Sequence, residues 1–242
     1  MSDDYEQRAQ EAGRWDQLRR QEREERESQR YRHEPAATRT AGYARQPQPS
    51  RADRWNQRVN RYEGQKNLFG LGSVGHGRGK VWYRDGRYYE GQLSRGDRHG
   101  QGYFESADKT VVYEGAWKND KTHGKGTMLI HGDRYEGTFK NGWMHGNFSV
   151  SCADGGVYRG HYRNGEKNGT GAYVNPDGSS YCGSYRNGRR HGKGEERNSQ
   201  DRLTFKGEWC DGVRHGTGVD YSSGMAVKGI WKNGEFKRKA WF

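Results

Sequence analysis

Residues 113–126 read Tyr-Glu-Gly-Ala-Trp-Lys-Asn-Asp-Lys-Thr-His-Gly-Lys-Gly. Tyr113 and Trp117 stand four apart with Gly115 between them, so in an extended chain these three share one face while Glu114 and Ala116 take the other. Asn119-Asp120 sits where a tight turn belongs, because both residue types tolerate positive φ. His123-Gly124-Lys125-Gly126 brings the chain back. A glycine opposite an aromatic lets the ring lie flat on backbone that a Cβ would cover. The stretch spells one β-hairpin.

The same phrase recurs from residue 62 onward with a period of 22 to 27 residues. Its openings are Tyr62-Glu63-Gly64, Tyr89-Glu90-Gly91, Tyr113-Glu114-Gly115, Tyr135-Glu136-Gly137, Tyr158-Arg159-Gly160, Tyr181-Cys182-Gly183, Phe205-Lys206-Gly207 and a shortened Val227-Lys228-Gly229. Two positions after each of the last seven glycines comes another apolar residue: Leu93, Trp117, Phe139, Tyr162, Tyr185, Trp209 and Trp231. Turn pairs follow at Asn141-Gly142, Asn164-Gly165, Asn187-Gly188, Asp211-Gly212 and Asn233-Gly234. His-Gly-x-Gly then opens the return strand, with Asn168 in place of the histidine in one unit and Phe148 in place of the last glycine in another. A lone hairpin is marginal in water, so the units are expected to stack and share their rings. The expected fold is all-β, an elongated single-layer antiparallel meander of seven to eight hairpins across residues 62–242.

Residues 1–61 follow another grammar, with two glycines, no lysine and a run of Arg, Glu and Gln from Arg14 to Arg32. Such a segment buries too little surface to fold alone and is expected to be disordered or ordered by a partner. Tyr5, Ala9, Ala12, Trp15 and Leu18 follow helical spacing, the thin apolar stripe of a docking helix. Ser50-Arg51-Ala52-Asp53 reads as a capping box, and Trp55, Val59 and Tyr62 extend helical spacing beyond it, toward a short helix capping the first hairpin. Trp241-Phe242 with Phe236 are the matching candidates at the other end.

The hydrophobic share is 29% against 31% charged, and 16 Tyr, 8 Trp and 7 Phe stand beside 38 Gly, so rings and glycines must build the core. The net charge of +12 favours anionic partners. No apolar run reaches membrane-spanning length and the N-terminus lacks a signal-peptide centre, which leads to the expectation of an intracellular, cytoplasmic protein. Cys152, Cys182 and Cys210 form no CxxC pair and read as reduced structural thiols.

No catalytic residue, cofactor or metal site is expected. The histidines of the His-Gly-x-Gly phrases are a whole hairpin apart, and orienting the return strand by hydrogen bonds suits that spacing better than ligation. The glutamates at 63, 90, 114 and 136 alternate with aromatics and face away from them, without the pocket a paired-carboxylate hydrolase needs. No nucleophile elbow, phosphate loop or dinucleotide fingerprint occurs. A binding role remains. Tyr113, Trp117, Tyr135, Phe139, Tyr158, Tyr162, Tyr181, Tyr185, Phe205 and Trp209 line one face of the sheet. They are either anchors for an amphipathic helix or extended peptide or core shared by neighbouring units. Arg186, Arg189, Arg190, Lys193, Lys237, Arg238 and Lys239 offer the alternative, peripheral binding to anionic phospholipid or acidic protein tails. Nucleic acid is a weaker fit, because no reading motif accompanies the charge.

The phrase Tyr-Glu-Gly-x-Trp/Phe-Lys-Asn-Gly-x-x-His-Gly-x-Gly, nearly intact at Tyr113 to Gly126, resembles the MORN repeat, the membrane occupation and recognition nexus motif, and is similar to its occurrence in radial spoke head and axonemal proteins. The resemblance covers roughly residues 62–240. It implies a twisted β-sheet that scaffolds partner proteins in a multi-subunit cytoskeletal assembly, in the cilium or flagellum axoneme among others. End-to-end homodimerisation of the rod is compatible with it.

Overall fold

The computed structural model describes residues 50–67 and 74–239, all within one compact unit, Gln48–Phe242. The stripe from Tyr5 to Leu18, most of the insertion after Asn67, and Trp241-Phe242 lie outside the described residues.

Among the described residues one helix, α1 (Arg51–Arg58), precedes the strands. The capping box forms as the sequence indicates: the Asp53 amide donates to the Ser50 hydroxyl at 3.0 Å and the Ser50 amide donates to Asp53 at 2.9 Å. The helix stops at Arg58, so Val59 and Tyr62 are strand residues rather than its third and fourth ridges. Ala52 and Trp55 are buried against the first strands, which is why the repeat-bearing unit starts upstream of residue 62.

The strands pair off as hairpins: β1 (Val59–Asn67) with β2 (Val74–Tyr83), β3 (Tyr88–Ser94) with β4 (Asp97–Glu105), β5 (Val111–Lys118) with β6 (Lys121–Ile130), and β7 (Asp133–Lys140) with β8 (Trp143–Ser151). The series continues as β9 (Val157–Arg163) with β10 (Glu166–Val174), β11 (Ser180–Arg186) with β12 (Arg189–Arg197), β13 (Leu203–Cys210) with β14 (Val213–Asp220), and β15 (Val227–Lys232) with β16 (Glu235–Lys239). Among the described residues these strands form one 16-stranded antiparallel meander in strict chain order. Asn141, Asn164, Asn187, Asp211 and Asn233 adopt φ of 49–53° with glycine next, the primed turn that matches strand twist. Arg95-Gly96 makes the same turn between β3 and β4, although Arg carries no turn signal.

The core is a row of rings laid over a row of glycines. Gly91 faces Gly102, Gly102 faces Gly115, and Gly115 faces Gly126 across successive strands, and the row resumes from Gly160 to Gly229. Tyr89, Tyr113, Tyr158, Tyr181 and Phe205 lie over it with 0–1% of their surface exposed. From Tyr113 onward each of these rings stands edge-on to the aromatic four residues later and to that of the next hairpin, as in Tyr181–Tyr185 at 5.3 Å and Tyr181–Trp209 at 5.2 Å, while Tyr89, with Leu93 four later, meets only Trp117 among the described rings. The ladder runs unbroken from Tyr89 to Phe236. Such pairs add about 0.5–1.5 kcal/mol each beyond area burial. The buried hydroxyls are satisfied locally: Tyr113 donates to the Ala116 carbonyl at 2.9 Å and Tyr181 to that of Ser184 at 3.1 Å. A single-layer sheet thereby acquires a core without a second layer.

Hairpins are also stitched through the backbone. The turn glycine amide donates to a carbonyl at the start of the preceding hairpin's return strand, Gly142 to Thr122 at 2.9 Å and Gly212 to Arg190 at 2.9 Å. Beside that bond the amides of Asn141, Asp211 and Asn233 donate to Nδ1 of His123, His191 and His215 at 3.4–3.5 Å. In these three hairpins the histidine therefore holds the next turn in place.

Candidate functional site

Nine of the ten aromatics expected to line one face do share it, and all nine are buried to 6% exposure or less. This corrects the anchor reading for Tyr113, Trp117, Phe139, Tyr158, Tyr162, Tyr181, Tyr185, Phe205 and Trp209: neighbouring rings and glycine backbone take up their surfaces, so they are core. Tyr135 differs. Phe148 stands where its hairpin would present a glycine, buries its own ring between Phe139 (5.3 Å) and Tyr162 (5.1 Å), and leaves Tyr135 half-buried at the margin.

Cations from the return strands close over this face. Arg98 lies 4.1 Å from the Trp117 ring, Lys167 4.4 Å from Tyr158, Arg190 4.5 Å from Tyr181 and Arg214 4.2 Å from Phe205. Carboxylates tie most of them down: Arg98 to Asp120 at 3.2 Å, and Arg214 to Glu196 at 2.9 Å and Asp220 at 2.8 Å, with Arg190 also on Glu196. Burial pushes the Asp220 carboxyl up, but hydrogen bonds from Ser222 and the Arg214 charge outweigh it and hold Asp220 below its ordinary value. Lys167 instead sits among Tyr158, Tyr173 and Tyr185, and burial lowers its pKa. Burial likewise raises the tyrosines, Tyr181 up to about 12.

The residues grouped as an anionic-partner set do not form one patch. Arg190 points to the aromatic face. Arg186 and Arg189 face each other across the β11–β12 hairpin on the opposite, outer side, and Lys193 follows on that side opposite Glu208. Lys237, Arg238 and Lys239 lie on the fully exposed strand β16.

The outer face carries two groupings that periodicity alone did not pick out. Over the first hairpins Trp82, Tyr88 and Tyr103 cluster with ring separations of 5.3 and 6.3 Å, with Arg61 4.8 Å over Trp82. These rings are half-buried and border a shallow groove lined by Glu63, Lys80, Glu90 and Glu114. The Tyr88 hydroxyl donates to Glu90 at 2.6 Å, and burial with that carboxylate raises its pKa. The signal available in the sequence was Tyr103, an aromatic whose position pairs with the outward Glu90 and Glu114. Farther along, His191, Cys210 and Asp211 bring an imidazole nitrogen, a thiol and a carboxylate within 4.8 Å of one another. Spacing gave no hint, because His191 reaches the other two through the hairpin stitch.

Among the described residues no helix is long and apolar enough to cross a membrane. The MORN repeat family matches the chain at residues 89–111, 113–130, 135–157, 158–180, 181–199 and 205–219, half of its length in all. A curated relative, MORN repeat-containing protein 3 of Xenopus laevis, is 37% identical over 71 residues, which is 27% of this chain and 30% of that protein. Among solved structures, the SAS-4 (dCPAP) TCP domain in complex with a proline-rich motif of Ana2 (dSTIL) of Drosophila melanogaster aligns at 15% identity with a TM-score of 0.38, over 64% of this chain and 84% of that one. Six matched repeats, in register with the glycine row and the ring ladder, place this chain in the MORN repeat family.

Proposed function

We propose that this protein is a non-catalytic scaffold that binds partner proteins along its sheet as a building block of a cytoskeletal assembly, ciliary or flagellar among the candidates. The observation that supports it is the division of labour between the two faces. The aromatic face is closed by its own rings and cations, so the sheet holds itself together without a covering layer. The outer face and both rows of turns then remain for partners, repeating at about 10 Å per hairpin. The half-exposed Trp82–Tyr88–Tyr103 cluster, rimmed by carboxylates, is the contact best suited to a hot spot, with a basic segment as its complement. The cytoskeletal placement follows the family resemblance rather than any single residue.

A second reading, peripheral attachment to anionic phospholipid, is favoured by the exposure of Lys237, Arg238 and Lys239 on β16. Detergent extraction of ciliated cells expressing the tagged full chain separates the two. The scaffold reading expects retention in the insoluble cytoskeletal fraction at high salt, weakened by Trp82→Ala. Complete release by salt, together with salt-sensitive capture on phosphatidylserine vesicles, would overturn it in favour of the lipid reading.

A further inference from the structure

We propose that His191, Cys210 and Asp211 form a binding site for a tetrahedral divalent metal of the zinc class, with three protein ligands and the fourth position open to solvent. The three donors belong to two neighbouring hairpins. His191 comes from the return strand β12, and Cys210 and Asp211 from the end of β13 and the turn after it.

The hairpin stitch that recurs along the sheet does the assembling. The Asp211 amide donates to Nδ1 of His191 at 3.5 Å, as the Asn141 and Asn233 amides do to His123 and His215. Every hairpin with this stitch therefore brings its turn residue and the residue before it up to a histidine of the hairpin behind. In the other two, those places hold Lys140-Asn141 and Lys232-Asn233, which supply a repelling ammonium and a neutral amide. Only at 210–211 do both change, to a thiol and a carboxylate. The neighbouring stitches thus provide an internal control with the same backbone and no ligand set.

The distances are close to what a metal requires. Nδ1 of His191 lies 3.6 Å from one Asp211 oxygen, Sγ of Cys210 lies 3.9 Å from the other, and one ligand atom from each of the three residues falls within 4.8 Å of the other two. Two ligands on tetrahedral zinc, bound at about 2.0–2.3 Å, stand about 3.3–3.6 Å apart, so small side-chain rotations bring these donors onto one ion. A thiolate with imidazole and carboxylate selects zinc over magnesium or calcium, which prefer all-oxygen shells. The competing group is Arg186, 3.7 Å from Asp211, but both side chains are more than half exposed and such a pair is weak. On binding, the Asp211 amide releases Nδ1 of His191, whose lone pair passes to the metal, and the Cys210 thiol gives its proton to solvent as its sulfur lone pair binds. The clip so formed would lock the turn at 211–212 onto β12.

Cobalt(II) titration of the full-length protein, under a non-thiol reductant, reads the site directly through the thiolate-to-cobalt charge-transfer band and the tetrahedral ligand-field bands. The expected result is saturation at about one equivalent, displacement by zinc, loss of the charge-transfer band in Cys210→Ser and weakening of binding in His191→Ala, with Cys152→Ser, Cys182→Ser and His215→Ala unchanged. Circular dichroism checks that Cys210→Ser, at a position partly open to solvent, keeps its sheet. Absence of a saturable thiolate band in the wild type, its survival in folded Cys210→Ser, or its loss in Cys182→Ser would each overturn the assignment.

Discussion

Alanine at Gly194 puts the ring-over-glycine core under direct strain. The backbone there has no positive φ, so the substitution carries no conformational penalty of its own. The added Cβ would lie 2.5 Å from Cε2 and Cζ of Tyr181 and closer still to its hydroxyl. Tyr181 has nowhere to retreat: Tyr185 and Trp209 stand edge-on at 5.3 and 5.2 Å, Arg190 covers it at 4.5 Å, and its hydroxyl is bonded to the Ser184 carbonyl at 3.1 Å. Overpacking a ring held this way costs about 1–3 kcal/mol. If the ring is expelled instead, two edge-on pairs at about 0.5–1.5 kcal/mol each and one hydrogen bond at about 1 kcal/mol go with it. Expulsion also forfeits the burial of the ring, so the overpacked ring is the cheaper route and a loss of about 2–3 kcal/mol is expected. Gly188→Ala is the control, with φ of +81° and nothing within 4 Å of the new Cβ. It should cost only the left-handed backbone term, about 1–2 kcal/mol. Urea denaturation followed by tryptophan fluorescence gives both numbers. Hydrogen exchange should show the Gly194→Ala damage concentrated in β11–β14, because stability in a repeat array is passed between neighbours. A Gly194→Ala protein no less stable than Gly188→Ala would refute the packing argument.

Three further outcomes follow from the same structure. Trp55→Ala removes the side chain that seals the first hairpins at 3% exposure and should cost about 3–5 kcal/mol, with exchange protection lost first in β1–β3. Burial raises the core tyrosines in the folded state, Tyr181 to about 12, so their contribution is fully present below the unfolded value near 10 and is lost as pH rises past it. The phenolate absorbance of Tyr181, isolated as the difference between wild type and Tyr181→Phe, should therefore appear only together with loss of sheet dichroism, and its rise in an intact sheet would contradict the packing. Asp108 is held at about 2 by hydrogen bonds from the Ser106 hydroxyl and the Thr110 amide, so its support of the β4–β5 turn is present above about 4 and lost as pH falls toward 2. Asp108→Asn should flatten the acid dependence of amide exchange at Thr110 over that window.

Much of the fold was legible because its core obeys a short-range rule. Tyr at one position, glycine two later and a ring two beyond that both predict a strand and supply its packing, so local pattern and tertiary contact coincide. The turns were equally readable where Asn-Gly or Asp-Gly marked them, and unreadable at Arg95-Gly96, where the fold forces a left-handed arginine. The helix after Ser50 and its place as a cap on the first hairpin were legible too: Trp55 packs on Gly75 and Gly96, inside a compact unit that starts at Gln48 rather than at residue 62. The surfaces were less legible. Alternation says which residues share a face, but whether a face is open depends on what the return strand lays over it. Arg98, Lys167, Arg190 and Arg214 close the aromatic face from positions that look like ordinary surface cations.

In a chain built from one phrase, departures from the phrase carry information only once the structure shows whether packing absorbs them. Phe148 in place of glycine is absorbed: its ring fills the slot, the ladder passes through Phe139 and Tyr162, and Tyr135 moves to the margin. Nothing chemical is left over. Cys210-Asp211 in place of Lys-Asn is not absorbed in that way. The turn keeps the φ of its neighbours and the stitch to His191 persists, so the backbone gains nothing from the exchange. What changes is the outward chemistry alone, from a cation and an amide to two metal-ligating groups beside an imidazole already in place. Lys140 and Asn141 make the point testable by transplantation. Lys140→Cys with Asn141→Asp, beside His123, should create a second cobalt-thiolate site where the wild type has none, and failure to do so would show that the stitch geometry does not by itself assemble ligands.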